Sequence, residues 1–530
     1  MQEHWSDYPM PRMRYEAPYG DRIVRCFDNR PAGFFAMFTA SVVTHADHDA
    51  VVCDGHRWSY AQTDAEAARI ATGLAARGVV GGERVVLFIG NRPEFVFVLL
   101  ALQRLGAIAV PVGVREQRPG LTYIANQCGA RAIVVDAELV DRVPDPGDTP
   151  ELSLQVVIGG VGRDSLAALA RDSEPAPAPA SVRETDVAVI LYTSGTTGNP
   201  KGAMLTHLNI AHSVLHYQAC MRLRPDDRSA LAVPASHVTG LIAIIAAMLN
   251  VGGAIIIIPT FKAGEFLRLV EAERVSYTLM VPAMYKLCLL NDDFNHRNLD
   301  SWRIGGYGGA PMPVATIDAL AAHLPGLTLL NAYGATETTS PATMMPTGFT
   351  REHADSVGVA LPTADIRVMD DAGREVATGE SGELWIGGPM VVPGYWGNPQ
   401  ATAASFTAGY WHSGDIGSLD TQGFVRILDR KKDMLNRGGF KIYSVEVESV
   451  LMALPGVLEA AIIGQACPVL GERVHAYLHA PGVMPDDDAV KLYCRSQLAD
   501  YKVPETITWS AAPLPRNANG KVMKRLLRQD

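Results

Sequence analysis

Apolar and polar positions alternate along the chain in rhythms that separate helices from strands. Tyr60–Arg77 repeats its apolar residues at the spacing of an amphipathic helix. Glu83–Gly90 predicts a strand, Pro93–Leu105 a helix, Ala107–Val112 a strand and Ala132–Asp136 a further strand. Such βαβ succession predicts a mostly parallel sheet covered by helices. Ser173–Ser181, SEPAPAPAS, reads as an extended, solvated linker that separates this block from a second one. In the second block Val187–Leu191, Ala254–Ile258 and Tyr277–Val281 predict strands, with Ala263–Glu273 a helix. Trp302–Tyr307 and Leu327–Leu330 predict strands that run straight into Gly-rich turns. Ligands in open parallel sheets bind beyond the carboxyl ends of strands, so these turns fall where a site belongs.

One stretch, Leu241–Ile258 (LIAIIAAMLNVGGAIIII), has nearly the roughly 18–20 apolar residues of a membrane span. Asn250, Gly252 and Gly253 divide it, and the expectation is a buried helix, a turn and a buried strand. From Ala364 the pattern shortens to IRVMD, GELWIG and GFVRILD, which predicts a small β-rich subdomain. A charged segment, DRKKD, lies around Asp429, and one more α/β alternation follows to Asp530. The main boundary is placed there, giving domains 1–430 and 431–530.

Length and composition narrow the function classes. A chain of 530 residues needs at least two cores. With 48% hydrophobic and 19% charged residues it is globular, and a net charge of −10 argues against a nucleic-acid surface. Seven dispersed cysteines without a CxxC pair predict reduced thiols and a cytoplasmic location. The N-terminal MQEHWSDYPMPRMRYE has no apolar core of a signal peptide, and no transmembrane segment is expected.

The densest chemistry lies in Tyr192–Gly202, YTSGTTGNPKG, which follows the Val187–Leu191 strand. Gly195, Gly198 and Gly202 let backbone N–H groups approach a ligand. Thr193, Ser194, Thr196 and Thr197 add hydroxyls, and Lys201 adds positive charge. Together they form a phosphate cradle. It is not the G-x-x-x-x-G-K-[ST] loop, because Lys201 stands between Pro200 and Gly202. The turn Tyr307–Pro311, YGGAP, offers backbone that can lie against a purine ring. In Tyr333–Thr338, YGATET, Tyr333 can stack on a base, Thr336 can donate to a phosphate oxygen and Glu337 can hold Mg²⁺. Trp411–Asp415, WHSGD, ends in a carboxylate suited to vicinal ribose hydroxyls.

These motifs, in this order and from the first βαβ block to the last turn, resemble the acyl-adenylate-forming superfamily of acyl-CoA synthetases, peptide-synthetase adenylation domains and luciferases. The resemblance implies an α/β fold: a large N-terminal domain of parallel-sheet subdomains with a small β-rich subdomain, and a small, mobile α+β C-terminal domain. It assigns Gly309, Ala310 and Pro311 to the adenine pocket. Tyr333, Gly334 and Thr336 fall to ATP, Glu337 and Thr193 to the metal, and Asp415 with Arg430 to ribose. It makes Lys432 the hinge, with Gly438, Gly439 and Phe440 along the pantetheine tunnel. Lys521, in PRNANGK, matches the C-terminal catalytic lysine that bridges the attacking carboxylate and the α-phosphate. The same spacing resembles a site of inactivating acetylation, which implies a regulatory lysine acetyltransferase as partner. His237, in PASHVTG, matches a residue beside the acyl pocket, with Val238, Gly240, Tyr307 and Thr338 as further wall candidates. Amino-acid-activating relatives carry an aspartate near there, and PASHVTG has none. Asn436 stands where several members have lysine.

The implied activity is ATP-dependent ligation of a carboxylic acid to coenzyme A, through an acyl-adenylate. The implied substrate is a hydrophobic monocarboxylic acid, because the candidate wall holds no Arg or Lys. Loading of a carrier protein and non-catalytic nucleotide binding on the same fold stay open at this point, as does a homodimer.

Overall fold

The computed structural model describes residues 3–162, 165–171, 175–193, 199–482, 486–516 and 522–528. They fall into two compact units. The first comprises Met1–Ile366, Trp385–His412 and Gln422–Val425, and the second Arg367–Leu384, Ser413–Thr421 and Arg426–Asp530. The short strands Asp365–Met369, Ser381–Gly387, Tyr410–Leu419 and Val425–Arg430 are the β-rich stretch, and the division runs through them.

The first unit holds two large sheets. One has the spatial order Lys201–Thr206, Val187–Thr193, Ile108–Pro111, Arg84–Phe88, Ala130–Asp136 and Leu154–Ile158. Every neighbouring pair is parallel except the first, which is an antiparallel hairpin. The other has nine strands, with a parallel centre built from Asp49–Cys53, Ala254–Ile257, Arg228–Leu231, Tyr277–Met280, Ile304–Tyr307 and Thr328–Tyr333. The central strands are largely buried on both faces, so stretches such as Val85–Phe88 and Ala254–Ile257 read as unbroken apolar runs. Helix Tyr60–Ala75 starts at Ser59, whose hydroxyl and Gln62 form a capping box. Helix Pro93–Leu105 has proline in its first turn and stops at Gly106, φ +67°.

One sequence expectation changes. The Pro/Ala stretch is exposed over its described part, as a solvated connector is, with Ala180 N–H donating to Arg104 O and Arg104 Nε to Pro177 O, each at 2.8 Å. It does not separate two blocks, because Val187–Thr193 pairs with Ile108–Pro111 through Ala109 and Val189. Hydrophobic period reveals a strand but not its partner. For the same reason Asp49–Cys53 escaped notice; it leaves the first block and pairs with Ala254–Ile257, Val51 opposite Ile255.

The long apolar stretch divides as expected. Thr239–Ala246 is a π-helix continued by α-helix Ala247–Val251, and Gly252 at φ +81° turns the chain into strand Ala254–Ile257. No helix among the described residues is long and apolar enough to cross a membrane.

Helix His207–Cys220 runs through the core of the first unit, and its imidazoles hold distant backbone. His207 Nδ1 accepts Phe34 N–H at 3.1 Å, and His212 Nε2 accepts Phe27 N–H at 3.0 Å while its Nδ1–H donates to Leu208 O at 2.9 Å. Burial opposes the charged form and lowers both pKa values to about 4.

The second unit has its own core around Leu435, Ile442, Val447, Leu451, Ile462 and Val474. Its sheet pairs Glu459–Cys467 and Gly471–His479 antiparallel, adds Thr506–Ser510 in parallel, and is packed by helices Ser444–Met452 and Asp487–Gln497. Leu435–Arg437 and Phe440–Ile442 form a hairpin whose turn is Gly438 and Gly439, at φ +59° and +89°. Two adjacent left-handed residues are what a type I′ turn requires, and glycine meets that without strain.

Candidate active site

The described ends of the phosphate-cradle segment belong to two paired strands. Strands Val187–Thr193 and Lys201–Thr206 pair antiparallel, with Thr193 directly opposite Lys201. Ser194, Gly195, Thr196, Thr197 and Gly198 lie outside the described residues, and so does Lys521. Gly202 is held close to its neighbours: a Cβ there would come within 2.7 Å of Ile190 Cγ2.

Thr193 points to Glu337, its Oγ1 donating to Glu337 Oε1 at 3.4 Å. The same oxygen accepts the Tyr395 hydroxyl at 2.9 Å. Val392 N–H donates to Glu337 O at 2.9 Å, which ties both the backbone and the carboxylate of Glu337 to the 392–395 segment. That segment lies along the hairpin, since Met204 N–H donates to Gly394 O at 3.1 Å and Trp396 N–H to Gly202 O at 2.7 Å. Tyr395 is thereby placed under Lys201, whose Nζ sits 4.9 Å from the ring centroid. Glu337 is 7% exposed. Burial raises its pKa, against the Tyr395 hydroxyl, Lys201 and Thr193, which favour the ionised form.

The two Gly-rich turns stand side by side at the carboxyl ends of neighbouring parallel strands, Ile304–Tyr307 and Thr328–Tyr333. Gly308 fits against Ala332 O so closely that a Cβ would collide with it. Gly309 takes φ +78°, and Gly309, Ala310 and Pro311 are exposed. Gly334 packs on Thr338, whose hydroxyl accepts Ala335 N–H at 2.9 Å; Tyr333 and Thr336 are partly exposed and Thr338 is buried. The structure thus gathers Thr193, Lys201 and Glu337, and separately sets the 309–311 turn against the 333–338 turn.

His237 opens the π-helix. Its Nδ1 accepts Thr239 N–H at 3.3 Å, which leaves the proton of the neutral ring on Nε2. The ring is open to solvent, yet protein surrounds it closely enough that desolvation lowers its pKa below the usual 6.5. Val238 and Leu241 are buried on the sheet face that carries Leu279 and Ile304, and Gly240 packs on Pro234 O where a Cβ would collide. Tyr307 is not with them. Its side chain is buried on the opposite face, in the cluster of Tyr285 and Trp302, because residues 304 and 307 of one strand project to opposite sides.

In the second unit Asp415 and Arg430 meet, with Arg430 Nε 2.8 Å from Asp415 Oδ1. Gly414, at φ +67°, forms the bend before Asp415, and its N–H donates to Glu383 Oε1 at 3.1 Å. Lys432 sits in a turn closed by Asp433 and Met434 N–H groups on Arg430 O. Arg528 Nη2 donates to Lys432 O at 3.1 Å and pairs with Asp433 Oδ1 at 3.2 Å. Phe440 is 56% exposed and stacks on Tyr501 with ring centroids 4.6 Å apart.

Sequence reasoning missed Tyr395 and Gln127. Gln127 Nε2 donates to Trp396 O at 2.8 Å, and its Oε1 accepts the Tyr192 hydroxyl, which fastens the hairpin to the Tyr395 segment. Pro393-Gly394-Tyr395-Trp396, an aromatic pair after a proline and a glycine, was the signal available for Tyr395.

Known proteins resemble this chain along most of its length. The AMP-binding enzyme family profile matches residues 38–396, and that of the AMP-binding enzyme C-terminal domain matches residues 446–521. A feruloyl-CoA synthase from Amycolatopsis sp. is 34% identical over 504 residues, 94% of this chain and 99% of the relative. The long-chain-fatty-acid–CoA ligase FadD13 of Mycobacterium tuberculosis is 33% identical over 476 residues, 89% of this chain and 93% of the relative. The crystal structure of ATP-bound MatB from Rhodopseudomonas palustris is similar with a TM-score of 0.87 and 32% identity, over 94% of this chain and 98% of that one. The chain belongs to the AMP-binding enzyme family, and it is an acyl-CoA synthetase, an AMP-forming acid–thiol ligase acting on a carboxylic acid, ATP and coenzyme A.

Proposed function

We propose that the acid is a hydrophobic monocarboxylate, fatty, alicyclic or aromatic. The observation that carries this reading is the stretch Gly240 to Ala246 directly after His237, whose residues are all apolar and buried. The names of the relatives, a feruloyl-CoA synthase and a long-chain-fatty-acid–CoA ligase, support the same range. His237, Val238, Gly240 and Thr338 form the acyl wall in this reading, and Tyr307 contributes main chain rather than its ring.

The reaction runs in two steps. A carboxylate oxygen attacks the α-phosphorus of ATP, and the bond to pyrophosphate breaks. The thiol of coenzyme A then attacks the acyl carbon, AMP leaves, and the thiol proton is released. Thr193, Lys201 and the 194–198 hydroxyls and amides bind the phosphates. The turns at Gly309–Pro311 and Tyr333–Thr336 hold the adenine, and Asp415 with Arg430 holds the ribose. Lys521 draws the carboxylate to the α-phosphate. We keep 1–430 and 431–530 as the functional division, with Lys432 as hinge and Gly438, Gly439 and Phe440 facing pantetheine.

Magnesium fits the residues present. Glu337 and Thr193 bring two hard oxygen donors together, and Mg²⁺ in nucleotide sites takes one or two protein oxygens with phosphates and water completing its shell. Held there, it offsets charge on the departing pyrophosphate.

The test is pyrophosphate release with Mg-ATP and a panel of carboxylic acids, each with and without coenzyme A. Steady turnover with apolar monocarboxylates, dependent on coenzyme A, is expected. Preference for dicarboxylates or amino acids overturns the substrate assignment.

A further inference from the structure

We propose that Asn91 is a positioning residue for acyl selection: its carboxamide fixes the loop from Leu231 to Ala235 and, through that loop, the His237 imidazole. This rests on the reading of His237 as part of the acyl wall.

Asn91 lies just beyond strand Arg84–Phe88, at the carboxyl end of the six-stranded sheet. One carboxylate, Asp136, holds both neighbours of Asn91, accepting Gly90 N–H at 2.7 Å and the Arg92 guanidinium at 2.9 Å. From that anchor the side chain reaches across to the other sheet. Its Nδ2 lies 3.2, 3.0 and 3.1 Å from the carbonyl oxygens of Leu231, Val233 and Ile258. Leu231 ends one parallel strand and Ile258 follows another, so the amide closes the carboxyl end of the nine-stranded sheet where a ligand site belongs. Its Oδ1 accepts Ala235 N–H at 2.8 Å.

The contacts continue to His237 without a gap. Pro234 O, next to the anchored Ala235, accepts His237 N–H at 3.1 Å. Gly240 packs on that same carbonyl, and Leu241 N–H donates to His237 O at 2.9 Å. A tilt of the 234–235 peptide therefore moves both the imidazole and the first turn of the apolar helix. A carboxamide suits the site, since its two N–H hydrogens are shared among three carbonyls and its oxygen accepts one N–H. Asn91→Asp keeps the shape and the acceptor but turns an oxygen toward three carbonyls, a repulsive arrangement in a partly buried place.

The experiment measures KM and kcat for the acid panel and for ATP in Asn91→Asp, Asn91→Ala, His237→Ala and the Asn91→Ala/His237→Ala pair. Asn91→Asp is expected to raise KM for the preferred acid about tenfold or more, the size of effect left by unsatisfied buried groups, and to reorder the panel. KM for ATP is expected to stay within about twofold, because ATP is not bound by this loop. In the His237→Ala background Asn91→Ala is expected to add little, the sign of residues acting in series. Should Asn91→Asp fail to fold, Asn91→Ser, with one donor and one acceptor on a shorter stem, carries the same test. Equal rises in both KM values, or full additivity with His237→Ala, overturn the inference. If His237→Ala leaves acid selection unchanged, the acyl-wall reading itself fails; if it shifts selection and the Asn91 variants do not, only the Asn91 inference fails.

Discussion

Glu337 in the first unit and Glu448 in the second are both carboxylates whose pKa burial raises, and the protein meets them differently. Glu448 Oε1 lies 2.6 Å from Lys524 Nζ and also accepts Ile462 N–H at 2.8 Å. Lys524 donates to Ser444 Oγ at 2.6 Å, and Ser444 in turn caps Asp429 through its hydroxyl and its backbone N–H. That carboxylate is neutralised by the chain itself. Glu337 has hydroxyls from Tyr395 and Thr193, and among the described residues no ammonium or guanidinium pairs with it. Lys201 rests on the Tyr395 ring instead. Where a side-chain cation closes the pair, the carboxylate is architecture. Where neutral hydroxyls hold it, the carboxylate suits the magnesium role proposed above.

The sharpest way to break this contrast is to remove the cation from the closed pair. Lys524→Met strands Glu448 and Asp429 and is expected to cost about 3–5 kcal/mol in denaturant unfolding, with Lys524→Met/Glu448→Gln recovering most of it. A loss below about 1 kcal/mol means the pair is not closed in solution. Glu337→Gln does the converse. It is expected to lower ATP-dependent pyrophosphate release by about 10²–10³. Its Tm should hold or rise, because it removes a charge that burial disfavours; a lower Tm with activity retained refutes the assignment.

The histidines of helix His207–Cys220 test whether burial alone sets the sign. For His207 and His212 the folded pKa is about 4 against the usual 6.5, so the unfolded chain takes up protons first as pH falls. Their contribution is intact above pH 6.5 and is lost between about 6.5 and 4, by about 3 kcal/mol for each. His212→Gln, which can still offer an acceptor to Phe27 N–H, is expected to flatten that part of the stability–pH curve. An unchanged slope shows that the ring is not buried neutral. The smallest effect is expected for Tyr395→Phe, which keeps the ring under Lys201 and removes one hydrogen bond to Glu337. A drop of about tenfold in kcat/KM for Mg-ATP fits one bond to a charged group; no change means that Thr193 alone orients the carboxylate.

What sequence made legible was local. The strand before the cradle, the paired Gly-rich turns and Glu337 follow one another along short stretches, and pattern and chemistry coincide in them. Asp415 and Arg430 were also legible as partners, through family resemblance, and they meet. Tyr395 was not, because its position depends on pairing with Ala203 from a distant part of the chain. Asn91 was not either, since an asparagine after a strand reads as a turn until its amide is seen facing three carbonyls from another sheet. Tyr307 was legible as a candidate for the acyl wall, but the face of the sheet its side chain occupies depends on register.

The pairing of Asp49–Cys53 with Ala254–Ile257 also sets a clock on biosynthesis. The earlier strand leaves the ribosome about 200 residues before the later one, so at roughly 5–20 residues per second it waits on the order of ten to forty seconds for its neighbour. During that interval Val51 and Val52 are apolar positions on an unpaired edge, open to capture by another nascent chain or by a chaperone.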